Sequence, residues 1–378
     1  MAVWVLVVQH LTISVKDPQP YRWGWQGLLA YVGGYTQFDS WEYLRIAEDG
    51  YWYRPGARSP VVFFPLYPMV VRVAHVLIDQ WVVAAVAVSA VAGLAAVLLF
   101  WRWTGERGLD ATARATAVAV LLLYPYGWYL YGIAYADALF LALALGAFLL
   151  GSRDRLVWAA VVGALATATR PTGVAIVPGL VVLALERAGV LTVPPDATGV
   201  VARFQLPIRV DRDRFRPVLL APLGALAGIA AYAAYLGARF GEPLVFLTDQ
   251  SQYQGSGLTT LLKAGFVARM FDWSDPTYSA STMLQGALVV AVFCSVPAVA
   301  RRFGWGHGAF VLSLVAILTL VSRDYLGAGR YLLAAFPVAA LVGEWLSVRP
   351  RLRAAWLAAG FVLLTLGTIG YSQSRMLT

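Results

Sequence analysis

Two carboxylates, Asp39 and Glu42, lie in the stretch 38–51, which reads FDSWEYLRIAEDGY. Residues 40–49 are predicted to form a short helix that ends at Gly50, because glycine commonly follows the last turn of a helix. Since the carboxylates are three positions apart, both lie near the start of one helix face. Two compatible roles are open. Asp39 caps the helix with Glu42 at its third position, or a carboxylate held at the helix start performs acid–base chemistry.

A second stretch, 59–72, reads SPVVFFPLYPMVVR and has prolines at positions 65 and 68. Proline interrupts regular helix geometry, so this apolar aromatic run is not predicted to form a continuous span. We expect a broken, partly buried segment at the outer face of a membrane, where irregular backbone is tolerated only against protein or a water-filled cavity. The alternative is an ordinary proline-kinked entry to the next span.

The elements that position these residues are predicted from the composition of the chain. Of its 378 residues, 60 % are hydrophobic and only 13 % are charged, and the mean hydropathy is +0.68. Soluble globular proteins are roughly 45–50 % apolar and about 25 % charged. The composition therefore excludes an ordinary soluble enzyme, a disordered protein and a nucleic-acid-binding domain.

Long apolar runs predict an all-α fold, a polytopic integral membrane protein that forms a single domain over residues 1–378. A helix of about 20 apolar residues crosses a bilayer. The first run lacks a basic region and a cleavage site of small residues, so we interpret it as a membrane helix and not as a cleaved signal. About eleven transmembrane helices are expected, at approximately 1–15, 82–103, 115–131, 135–151, 157–170, 172–186, 218–238, 282–300, 308–322, 331–347 and 354–371.

The arginines predict the orientation, because cytoplasmic loops of membrane proteins carry an excess of basic residues. With the N-terminus in the cytoplasm, the long segments 16–81 and 239–281 lie outside, and 187–217 is a cytoplasmic linker without chemistry. The formal charge of +9 then mostly reflects topology. The inside loops hold 16 arginines, at positions 102, 107, 114, 153, 155, 187, 203, 209, 212, 214, 216, 301, 302, 349, 351 and 353.

Three arginines depart from this distribution, because Arg170, Arg323 and Arg330 map to the outer ends of spans. An ionisable group at such a position is a candidate for function, and a guanidinium can bind a phosphate through two hydrogen bonds. The alternative is an anchor whose charged end reaches the membrane interface, or, for Arg323, a pair with its neighbour Asp324. Asp137 also maps to an outer end, where it binds a substrate hydroxyl or pairs with Arg170.

Several motifs together resemble the PIG-V family of mannosyltransferases, which comprises the second mannosyltransferase of GPI-anchor assembly and its bacterial relatives within the GT-C glycosyltransferases. The strongest similarity is in 38–51 and in 63–68 (FFPLYP), and it continues in order over about residues 30–345. Asp137 and Ala138 stand where the family usually has Glu-Ser. The weaker matches are 135–140 (YADALF), 166–173 (ATATRPTG), 241–246 (GEPLVF) with Gln250, and 330–337 (RYLLAAFP).

The resemblance implies a GT-C-like fold whose first extracytoplasmic loop contains short helices and the catalytic motif. It also implies transfer of mannose from a polyprenyl (dolichyl-type) phosphate donor to a glycolipid or other lipid-linked or protein acceptor. Asp39 is then the candidate base and Glu42 a second catalytic carboxylate, and direct attack on the sugar inverts its anomeric centre. The donor phosphate is expected at Arg330, Arg170 and Arg323, and substrate contacts at Trp41, Tyr43, Phe64, Pro65, Tyr67, Asp137 and Gln250.

The expected partners are membrane lipids and these two substrates, with no nucleic acid, in the plasma membrane of a bacterium with the active site facing outside. No cofactor is assigned, although Asp39 and Glu42 leave a divalent metal open. One alternative keeps the fold and changes the lipid-linked sugar or removes the activity. Another is a membrane transporter or lipid flippase, for which charged residues in mid-span and symmetric halves would be typical.

Overall fold

The computed structural model describes residues 1–12, 33–57, 59–254, 263–321 and 325–373, and most of them are helical. The α-helices are α1 (Ala2–Thr12), α2 (Ser40–Asp49), α3 (Leu66–Ile78), α4 (Trp81–Glu106), α5 (Ala111–Leu122), α6 (Asp137–Gly151), α7 (Leu156–Thr167), α8 (Ile176–Arg187), α9 (Gly199–Phe204), α10 (Ala227–Phe240), α11 (Val245–Gln254), α12 (Ala264–Met270), α13 (Pro276–Phe303), α14 (Trp305–Leu320), α15 (Ala328–Leu332), α16 (Phe336–Ser347) and α17 (Pro350–Ser372).

Short 3₁₀ helices and one small β ladder complete the architecture. The strands β1 (Leu191–Thr192) and β2 (Arg209–Val210) pair antiparallel within the predicted cytoplasmic linker. The longest 3₁₀ helix runs without a break into α10. The 3₁₀ segments are Gly33–Tyr35, Pro60–Val62, Gly127–Leu130, Pro171–Ala175, Arg212–Arg214 and Pro217–Leu226.

The described residues form an all-α membrane protein, as the apolar runs predict. Four helical runs are long and apolar enough to cross a bilayer, namely α4, Pro217–Phe240, α13 and α17. Shorter apolar helices of 10–17 residues accompany them, including α5, α6, α7, α14 and α16. Each of the predicted apolar runs thus contains helix, although many helices are shorter than the runs because loops and 3₁₀ turns occupy the ends.

Small side chains let α4 pack closely against α6 and the segment that precedes it. A Cβ atom on Gly93 of α4 would lie 2.0 Å from the backbone oxygen of Leu130, so this approach requires glycine. In lipid, where apolar surfaces gain little from helix association, close packing of small residues is a main source of helix–helix stability. The other small residues on the buried side of α4 are Ala84, Ala85, Ser89, Ala92 and Ala96.

Both sequence stretches singled out for their chemistry have the local structure expected of them. The predicted short helix is α2, and it ends at Gly50, whose φ is +85°. The stretch 59–72 is broken as predicted, with a 3₁₀ turn, an extended residue at Phe63 and the start of α3 at Leu66. The Leu66 N–H donates to the backbone oxygen of Ala168 at 2.9 Å, which fixes this stretch against the end of α7.

Candidate active site

Four charged side chains from distant parts of the chain meet at one end of the helices. They are Asp39 before α2, Asp137 at the start of α6, Arg170 after α7 and Arg330 in α15. Each had been predicted at the outer end of a span or in the first outside loop. Packing of the helices therefore brings them into one cluster, called here the four-residue cluster.

Asp137 and Arg170 form the buried half of the four-residue cluster. Arg170 Nη1 lies 2.6 Å from Asp137 Oδ1, and the two side chains are 6 % and 3 % exposed. The Arg170 guanidinium also lies over the ring of Tyr331, 4.4 Å from its centroid. Asp137 is in the first turn of α6, where the helix dipole favours a negative charge. The geometry therefore realises the predicted pair between Asp137 and Arg170.

Arg330 and Asp39 form the open half of the same cluster. Arg330 Nη1 lies 3.4 Å from Asp39 Oδ2, and its Nε lies 3.9 Å from Asp137 Oδ1. The Asp39 side chain is 30 % exposed, whereas that of Arg330 is 11 % exposed. The Arg330 guanidinium is therefore shared between two carboxylates, and only the contact with Asp39 is accessible from outside the protein.

Aromatic rings hold the Arg330 guanidinium in place. It lies 4.9 Å from the ring centroids of both Tyr135 and Tyr331, and its Nη2 donates to Tyr331 Oη at 3.1 Å. Tyr129 lies 5.8 Å away on the same side. The Tyr129 hydroxyl is buried and has no hydrogen-bond partner within the described parts of the chain. It is thus a polar group left available inside the cluster.

The backbone around Asp39 is held by hydroxyls from two membrane helices or their ends. The Asp39 N–H donates to Tyr135 Oη at 3.0 Å, and that hydroxyl in turn donates to the Gln37 carbonyl at 3.2 Å. The Gln37 N–H donates to Tyr371 Oη of α17, also at 3.2 Å. Phe38, between them, has a φ of +53°, a left-handed conformation unusual for a bulky residue. A strained backbone held by several hydrogen bonds is typical of functional sites.

Asp39 occupies the N-cap position of α2 without capping it. Its φ and ψ are −64° and −14°, and its side chain accepts no hydrogen bond from the first turn. Two other aspartates do cap their helices, since Asp110 accepts from the Ala113 N–H and Asp275 from the Thr277 N–H. The capping alternative for Asp39 is therefore not what the structure shows, and its carboxylate faces Arg330 instead.

Glu42, the other predicted catalytic carboxylate, has a different partner. Its Oε1 lies 3.9 Å from Arg45 Nη1 on the same helix, an exposed pair that typically contributes little stability. No ion pair between Glu42 and Arg330 or Arg170 is present in the described structure. Glu42 is only three positions from Asp39 in the sequence, but it does not belong to the four-residue cluster.

The predicted aromatic substrate residues form a scaffold behind α2. Tyr43 contacts the rings of Tyr67, Phe63 and Tyr135 at centroid distances of 5.1, 5.2 and 5.8 Å. Burial raises the pKa of the Tyr43 hydroxyl, so it stays protonated. Tyr67 is fully buried and bonds to Ser89 Oγ at 2.8 Å. These rings attach α2 to the rest of the protein and leave little surface for a substrate.

The remaining predicted site residues are distributed around the cluster or lie outside the described region. Phe64 is fully buried in a separate cluster with Tyr232, at a centroid distance of 5.0 Å. Trp41 is partly buried on α2. Arg323 lies outside the described residues, and so does the side chain of Gln250, although its backbone belongs to α11. Tyr129, Tyr331 and Tyr371 are not among the predicted site residues, because nothing in the sequence separates them from the other tyrosines, of which the chain has 19 in all.

An apolar groove of about 610 Å³ is lined in part by α2, the helix that follows Asp39. Its walls come from α2, the start of α3, the end of α7 and from α10. Met69 and Tyr235 on its rim are 60 % and 42 % exposed, so the groove opens on the surface that faces lipid. The predicted residue Pro65 belongs to its lining. The other lining residues are Ile46, Gly50, Tyr51, Leu66, Pro68, Arg72, Ala164, Leu165, Ala168, Ala227, Gly228, Ala231 and Tyr232.

Two comparisons with known proteins give no match. A scan against models of protein families finds none that fits the chain, and a search of curated proteins finds no significantly similar sequence. Among the described residues, no three or more His, Cys, Asp or Glu side chains come together as metal ligands would. The fold and the cluster define the chain as an all-α membrane protein with a charged site at one end of its helices.

Proposed function

We propose that this protein is a membrane glycosyltransferase that moves mannose from a polyprenyl-phosphate donor to an acceptor hydroxyl, with inversion at the anomeric carbon. The observation that carries the proposal is the contact of 3.4 Å between Arg330 and Asp39. It joins a carboxylate able to take a proton with a guanidinium able to bind a phosphate. The resemblance of 38–51 and 63–68 to the PIG-V family adds the substrate class.

In the proposed reaction, the Asp39 carboxylate accepts the proton of the acceptor hydroxyl. The acceptor oxygen attacks the anomeric carbon from the face opposite the phosphate, and the bond between that carbon and the phosphate oxygen breaks. The electron pair of this bond leaves on the polyprenyl phosphate, which changes from a monoanion to a dianion. Phosphate is already a good leaving group, so the reaction needs one base and cations rather than the two flanking carboxylates typical of glycoside hydrolysis.

The charges of the four-residue cluster fit this sequence of events. Two carboxylates and two guanidiniums have no net charge together, and the buried Asp137–Arg170 pair is tightly neutralised at 2.6 Å. Arg330 is the cation with the looser and more exposed partner. When Asp39 takes up a proton, Arg330 loses that partner at the same step in which the leaving phosphate gains charge. Arg330 then stabilises the phosphate through charge-assisted hydrogen bonds.

In this proposal Arg170 acts through Asp137 and not directly on the donor. Its guanidinium is 6 % exposed and occupied by Asp137, so little of it is accessible to a phosphate. Asp137 in turn lies 3.9 Å from Arg330 Nε and orients that side chain towards the open side of the cluster. Of the arginines predicted to bind the phosphate, we therefore assign direct contact to Arg330. Arg170 and Asp137 are positioning residues that hold the Arg330 side chain.

The apolar groove supports a lipid-linked donor. It has a volume of about 610 Å³, it opens towards lipid, and Ile46 connects its wall to the helix that follows Asp39. An isoprenoid chain has no polar group, so it can enter this groove from the bilayer without losing a hydrogen bond. We propose that the donor lies with its prenyl chain in this groove and its phosphate at Arg330.

The proposed topology is a GT-C-like arrangement of eleven membrane crossings, with the N-terminus in the cytoplasm. The four-residue cluster then faces the outside of a bacterial plasma membrane, where α2 and α3 lie on the surface of the bundle. Several exposed apolar residues of α3 support contact of this helix with lipid, since Val73, Val76 and Leu77 are 69 %, 80 % and 88 % exposed.

A donor screen tests the proposal. The purified protein in detergent is incubated with short-chain polyprenyl-phosphate mannose, glucose and galactose together with a glycolipid acceptor extract. We expect transfer from the mannose donor, and the product should have the anomeric configuration opposite to that of the donor. Transfer of another sugar alone would favour a GT-C transferase of different specificity. Movement of intact donor across vesicle membranes without transfer would favour a flippase.

A further inference from the structure

A second cavity, of about 790 Å³, lies at the other end of the helices from the four-residue cluster. Asp137 begins α6, and the cavity is lined by Asp154 and Arg155, which follow the end of that helix. A helix of this length extends about 22 Å at 1.5 Å per residue. The cavity and the four-residue cluster are therefore distinct, and they lie at opposite ends of α6.

The cavity has more cationic than anionic character once its ion pairs are assigned. Arg155 and Arg216 on its wall are exposed and have no ion pair in the described structure. Asp154 is occupied by Arg187, whose Nη2 lies 2.7 Å from its Oδ2. The remaining charged groups on the wall are Arg214, paired with Asp211 at 3.0 Å, and Asp213. Once these ion pairs are set aside, the wall has two arginines, Arg155 and Arg216, and one aspartate, Asp213.

The backbone contributes further hydrogen-bond donors to the same wall. Leu156, Val157 and Trp158, the first three residues of α7, line the cavity, and their N–H groups have no intrahelical acceptor. Arg155 at the N-cap position provides no side-chain cap. Free N–H groups and the positive end of the helix dipole favour an anion there, in addition to the two unpaired arginines.

Exposed apolar side chains adjoin the cavity on the lipid side. Val157, Trp158 and Val218 line the cavity and are 60 %, 62 % and 54 % exposed. Trp is enriched where a membrane helix meets the headgroup region. The cavity therefore combines an anion-binding wall with an apolar edge at the membrane interface, which matches a molecule that has an anionic head and apolar chains.

We infer that this cavity binds the headgroup of an anionic phospholipid. The phosphate is held by Arg155, Arg216 and the first N–H groups of α7, and the acyl chains lie along Val157, Trp158 and Val218. Basic pockets between membrane helices bind anionic headgroups in this way. The inference does not depend on the proposed transferase activity, because the cavity and the four-residue cluster share no residue.

Native mass spectrometry of the purified protein tests the inference. The protein is released from detergent that contains equal amounts of phosphatidylglycerol and phosphatidylcholine, and the retained lipids are counted. We expect selective retention of phosphatidylglycerol, and we expect the double variant Arg155→Gln/Arg216→Gln to weaken it about 30-fold. The matched control Arg351→Gln/Arg353→Gln removes the same charge from the start of α17 and should keep wild-type binding.

Three results would overturn the inference. They are equal retention of the two lipids, wild-type binding by the double variant, or an equal loss in the control. Displacement of phosphatidylglycerol by millimolar inorganic phosphate would also contradict it, because the site would then be one for a free anion. A Trp158→Ala variant tests the apolar edge of the site, since it should lower retention of phosphatidylglycerol, and unchanged retention would contradict the proposed position of the acyl chains. If the double variant unfolds, the single Arg155→Gln variant, expected to weaken binding about fivefold, replaces it.

Discussion

The guanidinium of Arg330 lies 3.4 Å from the carboxylate of Asp39, although 291 positions separate the two residues in the chain. Asp39 immediately precedes α2, and Arg330 belongs to the short helix α15. The contact is longer than the buried pair of 2.6 Å between Arg170 and Asp137. It is therefore the weaker ion pair of the cluster, and the one that a proton on Asp39 would release.

Loss of the Arg330 charge should impair use of the donor. Arg330→Gln is expected to lower kcat/KM for the lipid-phosphate sugar about 10- to 100-fold, because a hydrogen bond to a charged group contributes about 1.5–3 kcal/mol. The kcat/KM of Arg330→Lys should lie between those of Arg330→Gln and the wild type, because lysine keeps the charge but lacks the planar pair of donors. Steady-state kinetics with varied donor measure the effect. The control Arg353→Gln at the opposite face should match the wild type, and an equal loss there would assign Arg330 to membrane anchoring.

Loss of the buried ion pair between Asp137 and Arg170 should mainly lower the stability of the folded protein. Arg170→Met leaves Asp137 with only the 3.9 Å contact to Arg330, and removal of one partner of a buried ion pair costs about 3–5 kcal/mol. The double variant Asp137→Leu/Arg170→Met should lose less than Arg170→Met alone, because no charge is then left unpaired. Thermal unfolding in detergent compares the variants. Additive losses in the double variant would show that the two residues do not support one another.

Glu42 should be much less important than Asp39. Its partner is Arg45 on the same helix, in an exposed pair worth roughly 0–1 kcal/mol. Glu42→Gln is therefore expected to change the rate of sugar transfer less than about fivefold, the factor that corresponds to about 1 kcal/mol. Single-turnover measurements with saturating donor provide the comparison. A loss as large as that of Asp39→Asn would return Glu42 to the catalytic machinery.

Asp249 provides a prediction on pH. It is 1 % exposed on α11, and burial raises the pKa of its carboxyl, an effect that the nearby Ser59 amide partly opposes. The pKa of this carboxyl is therefore higher in the folded protein than in the unfolded chain, where it is about 3.9. At pH values above about 3.9, ionisation of Asp249 lowers the free energy of unfolding. Asp249→Asn should therefore raise the melting temperature at pH 7, and the gain should vanish as the pH falls to about 3.9.

The control for this prediction is Asp79→Asn, because Asp79 is exposed and its left-handed backbone, with a φ of +50°, tolerates asparagine. Its melting temperature should match that of the wild type at pH 7. If Asp249→Asn were instead less stable than the wild type at pH 7, the ionised carboxylate would have a stabilising partner, and the pKa argument would be wrong.

The sequence predicts more of the fold than of the contacts within the site. Long apolar runs are enough to predict the helices, and Gly50 is enough to predict the end of α2. The excess of arginine in the opposite loops predicts that Asp137, Arg170 and Arg330 share one end of the helices, and they do meet there. These features depend on local composition and on the bilayer, both of which can be inferred from one sequence.

The partners within the site depend on tertiary packing and could not be inferred in the same way. Asp39 has the sequence pattern of a helix cap. Its N–H, however, donates to the Tyr135 hydroxyl and the Gln37 N–H donates to the Tyr371 hydroxyl, and these hydrogen bonds hold Asp39 in another geometry. The sequence leaves two roles open for Asp137, which are substrate binding and pairing with Arg170. The packing of α7 against α6 brings Arg170 to Asp137 and forms the pair. Tyr129 has no sequence signal that separates it from other aromatic residues in spans.

The most direct test of the proposed function is mannose transfer by Asp39→Asn. Asparagine keeps the size of the side chain and removes its ability to accept the acceptor proton, and a general base typically contributes about 10²–10⁴-fold to the rate. The measurement is single-turnover transfer from polyprenyl-phosphate mannose by folded variant and wild type, with Asp79→Asn as the matched control. The proposal predicts a loss of at least about 100-fold in Asp39→Asn and none in the control. Transfer at the wild-type rate by Asp39→Asn would contradict it.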